Sequence, residues 1–283
     1  MHEFGKGTGS AVPQALNTDR ALALRSDRTP ALRLNYELAP PVVRLVLTNP
    51  PLNVIDIPMI EQLAQALSEI ESRPDISVVV ISGEGKAFSS GVDVAAHTPD
   101  KVEGMLARFH AVIRLLVAAK KVTIASVHGR CLGGGAELAM ACDIVYTSDS
   151  AQWGFPEIKL GCYPPVACTV LASLIGQKRA AELILTGRTI SGSEAAAIGL
   201  ANRALPEEEL TASVEECVDR LKTLSASSLA VTKKAFYAWD SMHFDKGLAR
   251  AERIYLDELM KTSDAHEGIR AFMEKREPSW TGK

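Results

Sequence analysis

Three consecutive glycines, Gly133–Gly135, constrain this chain more than any other feature of its sequence. They lie between an apolar run typical of a β-strand, Val122–Val127, and an amphipathic segment that contains Glu137. Glycine adopts backbone conformations closed to other residues and lets the backbone approach a ligand closely. If a helix begins there, its first N–H groups have no acceptor within the helix and carry partial positive charge. The run therefore predicts a site for negative charge.

A second acid and a second loop extend this prediction. Glu157 follows Glu137 by 20 residues (157 − 137). The loop Gly83–Asp93 follows another apolar run, Ile76–Ser82, which is typical of a buried strand. Ligands of open α/β sheets bind at the carboxyl ends of strands, so two such loops can each offer a backbone N–H to one oxygen. Two acids beside them indicate proton transfer next to a developing oxyanion.

Each loop taken alone has a simpler interpretation. Its glycines permit tight turns, and Glu137 favours the positive end of a helix. A phosphate-binding loop is excluded because neither glycine-containing loop has the Gly-Lys-Ser/Thr ending of that motif.

Composition excludes several classes of protein. The 283 residues are 47% hydrophobic, which is enough for one large domain or a domain with a small appendage. A net charge of −3 and 5% aromatic residues argue against a nucleic-acid partner. No apolar run reaches the roughly 18 residues that span a membrane. Five cysteines without zinc-site spacing predict reduced thiols, no metal and a cytoplasmic location: Cys131, Cys142, Cys162, Cys168 and Cys217.

Hydrophobic periodicity predicts strand–helix repeats followed by helices, which is an α/β fold with a helical C-terminal portion. Asp56 and Pro58 predict a helix start, and Thr98-Pro99 predicts another. The predicted strands are Ala31–Glu37, Val42–Leu47, Ile76–Ser82, Val122–Val127 and Asp143–Tyr146. The predicted later helices are Val166–Ile175, Lys178–Thr186, Gly192–Ile198, Glu207–Leu224, Leu229–Trp239, Asp245–Thr262 and Asp264–Arg276.

Four segments, in order and spacing, resemble the crotonase family of enoyl-CoA hydratases and isomerases: Ala87–Asp93, Gly133–Asp143, Trp153–Ile158 and Ala271–Arg276. The resemblance covers about residues 30 to 280. It implies a crotonase-like spiral of β–β–α units over residues 30–224 and a helical region, 225–283, for trimerisation and the CoA site. Residues 1–29 are predicted to be a disordered or tag-like tail. The expected assembly is a homotrimer or a dimer of trimers.

The resemblance also implies an acyl-CoA thioester whose carbonyl oxygen lies between the backbone N–H groups of Val92 and Gly134. Glu137 would take the proton of a water molecule, and Glu157 would protonate the α carbon. The implied reaction is addition of water to an unsaturated acyl-CoA. Coenzyme A is part of the substrate, and no separate cofactor is implied.

The chain departs from straight-chain hydratases at Cys162–Cys168 and Val92–Asp100. Bulkier side chains there change the shape of the acyl pocket. The combination resembles hydratases acting on cyclic dienoyl-CoA thioesters of the cyclohexa-1,5-diene-1-carbonyl-CoA type. The implied acyl-pocket residues are His97, Trp153, Tyr163, Pro165 and Val166, and the implied CoA contacts are Leu52, Asn53, Phe272 and Lys275.

Alternatives remain open for several of these predictions. A lone histidine before a helix start is commonly a packing residue, and Lys275 fits a surface lysine equally well. The same scaffold supports double-bond isomerisation, thioester hydrolysis and carbon–carbon cleavage. A non-catalytic binding protein of the family is the alternative of another class, and the intact pair of glutamates counts against it.

Overall fold

Pairs of strands followed by a helix repeat along the chain, and the strands of each later pair enter different sheets. The computed structural model describes residues 32–237 and 240–282, without the side chains of 240–242. The predicted N-terminal tail, residues 1–29, lies outside the described residues. The predicted boundary between residues 224 and 225 falls between two helices and stays a prediction.

Ten strands form two sheets in the described residues. The larger sheet has the order β1-β2-β3-β5-β7-β10, and the smaller has the order β4-β6-β8-β9. The strands are β1 Leu34–Ala39, β2 Val42–Leu47, β3 Val78–Gly83, β4 Ala87–Ser89, β5 Val122–Val127, β6 Arg130–Leu132, β7 Ile144–Ser148, β8 Gln152–Gly154, β9 Thr189–Ser191 and β10 Arg203–Leu205.

Ten α-helices connect and cover these sheets in the described part of the chain. They are α1 Ile57–Glu71, α2 Val102–Ala118, α3 Gly134–Met140, α4 Pro165–Ile175, α5 Gln177–Thr186, α6 Gly192–Ala197, α7 Glu207–Lys222, α8 Ala226–Phe236, α9 Asp240–Asp257 and α10 Ser263–Met273. Short 3₁₀ turns lie at Val94–His97, Pro156–Leu160 and Leu259–Lys261. No helix among the described residues has both the length and the apolar character required to cross a bilayer.

The alternation between sheets produces the predicted spiral. The units β3-β4-α2, β5-β6-α3 and β7-β8-α4 each place one strand in the large sheet and the next in the small sheet. In the small sheet β4, β6 and β8 are parallel neighbours. The carboxyl ends of these three strands therefore meet at one edge, which carries the three segments after them.

The central strand β3 is buried on both faces, as its continuous apolar run predicts. Val78 and Val80 pack in a cluster with Val214 of α7 on one face. Val79 and Ile81 pack on the other face, in the cluster that contains residues of α1 and α2. The large sheet is therefore a layer between helices, and it supports the small sheet that carries the site.

Local signals predict one helix start correctly and another wrongly. The Asp56 side chain accepts a hydrogen bond from the Met59 nitrogen at 3.0 Å, so α1 begins where Asp56 and Pro58 predict. The predicted helix at Thr98-Pro99 instead begins at Val102. The Thr98 carbonyl accepts from the nitrogens of Lys101 and Val102, at 2.9 Å each, so these residues form a turn before α2.

Candidate active site

The predicted site residues meet in one cavity of about 80 Å³ at the edge where β4, β6 and β8 end. Val92 lies just after β4, Gly134 opens α3 just after β6, and Glu157 lies in the turn after β8. Glu137 adds a side chain from α3, and all four residues line the cavity. The structure thus brings together the four residues that the sequence singles out for oxyanion binding and proton transfer.

The three glycines are required by three different neighbours. A Cβ on Gly133 would lie 2.5 Å from Glu157 Oε1, and its φ of +52° is itself one that side-chain-bearing residues rarely adopt. A Cβ on Gly134 would lie 2.6 Å from Val92 Cγ2. A Cβ on Gly135 would lie 2.6 Å from the carbonyl oxygen of Ser89. No side chain fits at any of the three positions without displacement of the site.

Two backbone N–H groups lie close together at the cavity. Ile55 forms a bridge with Val92, because its nitrogen donates to the Gly91 oxygen at 2.9 Å and its oxygen accepts from Asp93 nitrogen at 3.1 Å. The N–H of Val92 itself therefore faces away from Ile55. Gly134 is the first residue of α3, whose first N–H groups have no acceptor within the helix. A Cβ on Gly134 would lie 3.3 Å from the Val92 nitrogen, so the two donors are neighbours.

Glu137 is 3% exposed and anchored by another helix. Its Oε1 accepts hydrogen bonds from the backbone nitrogens of Val166 at 2.9 Å and Ala167 at 3.0 Å, in the first turn of α4. Burial raises the pKa of Glu137, while His110 and these two hydrogen bonds oppose the rise. The anchoring leaves Oε2 outside these two bonds and favours the ionised carboxylate at the positive end of α4.

Glu157 is held differently. Its Oε2 is shielded from solvent and has no hydrogen-bond partner among the described residues. Burial raises the pKa of Glu157 to about 8, and the negative charge of Glu137 acts in the same direction. Two carboxyl groups at one cavity interact as a pair, so one of them retains a proton when the other is ionised. The environment favours the proton on Glu157 and the charge on Glu137.

The predicted acyl-pocket residues fall into two groups. His97, Tyr163 and Pro165 line the cavity, and Val166 lines a second, larger one of about 850 Å³. Tyr163 and Cys162 line both cavities, which are therefore adjacent. Trp153 was predicted wrongly: it is fully buried, its Nε1 donates to Thr147 Oγ1 at 3.0 Å, and it lines neither cavity.

The structure corrects one of the four predicted CoA contacts, the side chain of Asn53. The Asn53 side chain is buried and donates to the carbonyl oxygens of Glu84 at 2.9 Å and Ala87 at 2.7 Å. It therefore has no amide hydrogen left for a coenzyme and instead ties its loop to β4. Leu52 is half-buried, and Phe272 and Lys275 are exposed at the end of α10. The predicted CoA contacts of these three residues stay predictions.

Sequence reasoning missed His110, which lines the same cavity from α2. Its Nδ1 lies 2.7 Å from Glu252 Oε1 of α9. The spacing of apolar residues could have indicated that His110 is buried, because it follows Leu106 by four residues and precedes Ile113 by three, on the apolar face of α2. Tyr255, also on α9, is a further cavity residue that the sequence did not indicate.

No group of three or more His, Cys, Asp or Glu side chains in residues 32–237 and 240–282 is arranged to hold a metal ion. The residues that line the cavity include two carboxyls, two imidazoles, two phenols and the thiol of Cys162, beside the backbone N–H donors of Val92 and Gly134.

Known proteins share this arrangement of sequence and fold. The family model described as Enoyl-CoA hydratase/isomerase matches residues 39–283. A cyclohexa-1,5-dienecarbonyl-CoA hydratase of Thauera aromatica is 34% identical over 258 residues, covering 91% of this chain and 100% of that protein.

Solved structures of enoyl-CoA hydratases are also similar to this chain. An enoyl-CoA hydratase from Mycobacterium avium subsp. paratuberculosis is 30% identical with a TM-score of 0.80, covering 89% of this chain and 100% of the other. One from Bacillus anthracis is 28% identical with a TM-score of 0.71 and the same coverage. The matched region contains both glutamates and both N–H donors of the cavity, and the chain belongs to the enoyl-CoA hydratase/isomerase family.

Proposed function

We propose that this enzyme adds water reversibly to the double bond of a cyclic dienoyl-CoA thioester. One observation carries the hydration chemistry: the carboxyl groups of Glu137 and Glu157 share a cavity with the N–H donors of Val92 and Gly134. Hydration requires a base for water, an acid for the α carbon and a group that stabilises the enolate. The chain supplies all three from its own residues, so the proposal includes no separate cofactor.

The two N–H donors act on the thioester oxygen. Addition of hydroxide at the β carbon moves the π electrons toward the carbonyl and builds enolate charge on its oxygen. Donors that are already in place stabilise this charge as it forms, and the loss of one typically costs about 3 kcal/mol in the barrier. The glycines keep Gly134 against Val92 and so keep the two donors on one oxygen.

The two glutamates divide the proton transfers. Glu137, ionised at the first turn of α4, accepts the proton of the attacking water. Glu157, which holds its proton because burial raises its pKa, protonates the α carbon. Water contributes hydroxyl to the β carbon and a proton to Glu137, and the pair then redistributes one proton for the next turnover.

The cyclic substrate rests on two supports. The hydratase of Thauera aromatica is named for a cyclohexa-1,5-dienecarbonyl-CoA, and this chain spans its whole length. Tyr163 and Pro165, from the stretch that departs from straight-chain hydratases, both line the cavity. Their rings reduce the room for a flexible chain beside the glutamates, which suits a flat ring.

The decisive experiment incubates the purified protein with cyclohexa-1,5-diene-1-carbonyl-CoA and, separately, with crotonyl-CoA, and follows product mass. We expect a gain of one water with both and a higher kcat/KM for the cyclic thioester. Preference for crotonyl-CoA would reject the cyclic substrate and retain hydration. Unchanged mass with a moved double bond would identify an isomerase, and no turnover of either thioester would reject the hydratase.

A homotrimer or dimer of trimers is part of the same proposal. Large apolar side chains are exposed on the single chain, including Leu185 at 70%, Val231 at 67% and Phe236 at 74%. An oligomer would cover such surface. Light scattering after size exclusion should give a multiple of three of the 30.4 kDa chain mass. A monomer mass would reject it.

A further inference from the structure

His110 is a buried polar residue in the wall of the active-site cavity that the two-glutamate mechanism does not use. It is 0% exposed, although it lies on a helix whose buried face is otherwise apolar. Its Nδ1 is 2.7 Å from Glu252 Oε1, and its Nε2 is buried without a hydrogen-bond partner among the described residues. A buried polar atom without a partner is costly, and native proteins rarely keep one without a role.

The carboxylate of Glu252 determines which imidazole nitrogen is available. Arg114 Nη2 also donates to Glu252 Oε1, at 3.0 Å, and hydrogen bonds from His110 and Arg114 lower the pKa of Glu252. Glu252 is therefore ionised, and its Oε1 accepts a hydrogen bond from the Nδ1–H of His110. This leaves Nε2, on the far side of the ring from Glu252, as the nitrogen available for a further hydrogen bond: as acceptor in the neutral imidazole and as donor in the imidazolium. A second hydrogen-bonding nitrogen thus points away from Glu252.

Polar atoms without partners concentrate at this cavity. Six buried side-chain polar atoms in the described part of the chain have no hydrogen-bond partner, and three of them belong to residues that line it: His110, Glu157 and Tyr255. The cavity is therefore built to receive hydrogen-bonding groups and not only a hydrocarbon. In the reaction, the groups that carry a hydrogen able to form such a hydrogen bond are the water molecule and the hydroxyl group that it becomes.

We propose that His110 is a third catalytic residue, whose Nε2 forms a hydrogen bond with the oxygen that the reaction adds to the acyl group. That oxygen is the attacking water in hydration and the hydroxyl of the product in dehydration. Glu252 is a positioning residue that acts through His110. No bond beyond those of hydration is made or broken, because His110 orients the oxygen while Glu137 takes its proton. The inference rests on the proposed hydratase function.

This role predicts a different kinetic effect in each direction. The unsaturated thioester lacks the oxygen, so His110→Leu should leave its KM unchanged and lower kcat about tenfold. The hydroxylated thioester makes the contact before reaction, so the same variant should raise its KM about tenfold and leave kcat unchanged. The equilibrium constant requires kcat/KM to fall equally in both directions. A structural role would instead change both KM values together.

The test uses crotonyl-CoA with 3-hydroxybutyryl-CoA, and the cyclic diene thioester with its hydrated product. His110→Gln keeps a hydrogen-bonding group and should recover part of the lost kcat/KM. Glu252→Gln should show a smaller version of the same pattern, with a lower kcat for the unsaturated thioester and a higher KM for the hydroxylated one. The matched control is Asp245→Asn, because Asp245 also faces Arg114, at 3.6 Å, but is 69% exposed and does not contact His110. It should leave both directions unchanged.

A binding measurement separates this inference from the proposed function. In the Glu157→Gln background, where turnover is suppressed, calorimetry gives Kd for 3-hydroxybutyryl-CoA and for butyryl-CoA, which lacks the hydroxyl. We expect a preference for the hydroxylated ligand that His110→Leu reduces roughly fivefold to tenfold. An unchanged preference would overturn the inference even if hydration is confirmed. A reduced preference without hydration by the unmodified protein would support the contact and reject the hydratase.

Discussion

At the scale of single residues, the close packing of Gly134 against Val92 makes the site sensitive to one methyl group. Gly134→Ala would place Cβ 2.6 Å from Val92 Cγ2 and 3.3 Å from the Val92 nitrogen, which forces the two donors apart. We expect kcat/KM to fall about a hundredfold or more, since one misplaced oxyanion donor costs that much. Steady-state hydration assays of the variant and the unmodified protein measure this fall in kcat/KM.

The control for this substitution is Gly104→Ala in α2. A Cβ there meets only the far end of the flexible Arg108 side chain, at 3.0 Å. Alanine favours a helix more than glycine does, so activity should be unchanged and stability equal or higher. Similar losses in both variants would contradict the assignment of Gly134 to the oxyanion site.

The elevated pKa of Glu157 predicts how the rate depends on pH. As the general acid it must hold its proton, which it loses as the pH rises through about 8. Glu137 must be ionised, and burial raises its pKa too. The kcat/KM profile should therefore fall on both sides, with the alkaline fall near the Glu157 value. A rate that stays constant from pH 7 to pH 10 would remove Glu157 as the acid.

The raised pKa of Glu157 also predicts that Glu157→Gln, which is inactive, keeps more of its stability at alkaline pH than the unmodified protein does. The folded-state pKa of Glu157 lies above its ordinary value, so its stabilising contribution is complete at low pH and is lost as the pH rises toward about 8. Glu157→Gln cannot ionise, so its urea midpoint should fall less between pH 5 and pH 9 than that of the unmodified protein. Its rate should fall a hundredfold or more. The exposed Glu61→Gln serves as control and should change neither property.

At the scale of elements, the C-terminal helix α8 is tied to the large sheet by one buried lysine. Lys233 Nζ donates to Asp143 Oδ2 at 2.7 Å and to the Lys121 oxygen at 2.9 Å. Lys233→Met should lower the free energy of unfolding by about 3 kcal/mol, because it leaves the carboxylate of Asp143, which is only 13% exposed, without its cation. Urea unfolding measures the change. Lys234→Met, at the exposed neighbouring position, should leave the free energy of unfolding nearly unchanged. Equal effects of the two substitutions would contradict the assignment of this stabilising role to Lys233.

Sequence reasoning succeeded for elements with long or local signals. The boundaries of β2 and β5 are as predicted, because their apolar runs are six residues long and bounded by turns. The start of α1 depends on Asp56 and Pro58, which are adjacent in sequence. The strands β4, β6 and β8 have three residues each, too few to show a period, and were not predicted.

The candidate site was predictable to the same extent. Val92, Gly134, Glu137 and Glu157 belong to continuous motifs of the family. Trp153 was misassigned because nothing in the motif reveals that its indole N–H bonds to Thr147 in the core. The pair His110–Glu252 joins residues 142 apart in sequence, and no local pattern links them.

At the scale of the whole molecule, the family match begins at residue 39. Deletion of residues 1–29 should leave kcat/KM and the urea midpoint unchanged. A deletion of residues 1–39 removes β1, which pairs along its length with β2, and should lower stability markedly. Activity assays and urea unfolding compare the two. A large loss from the shorter deletion would assign the first residues a part in the fold or the site.

The contact between α2 and α9 has a consequence for synthesis of the protein. Glu252 follows His110 by 142 residues (252 − 110), whereas the two loops of the site are complete by residue 157. A growing chain on the ribosome therefore holds a His110 imidazole without its carboxylate partner until α9 has been synthesised. Premature termination after Glu157 and before α9 would yield a chain with both glutamates and the glycine run but an unanchored imidazole.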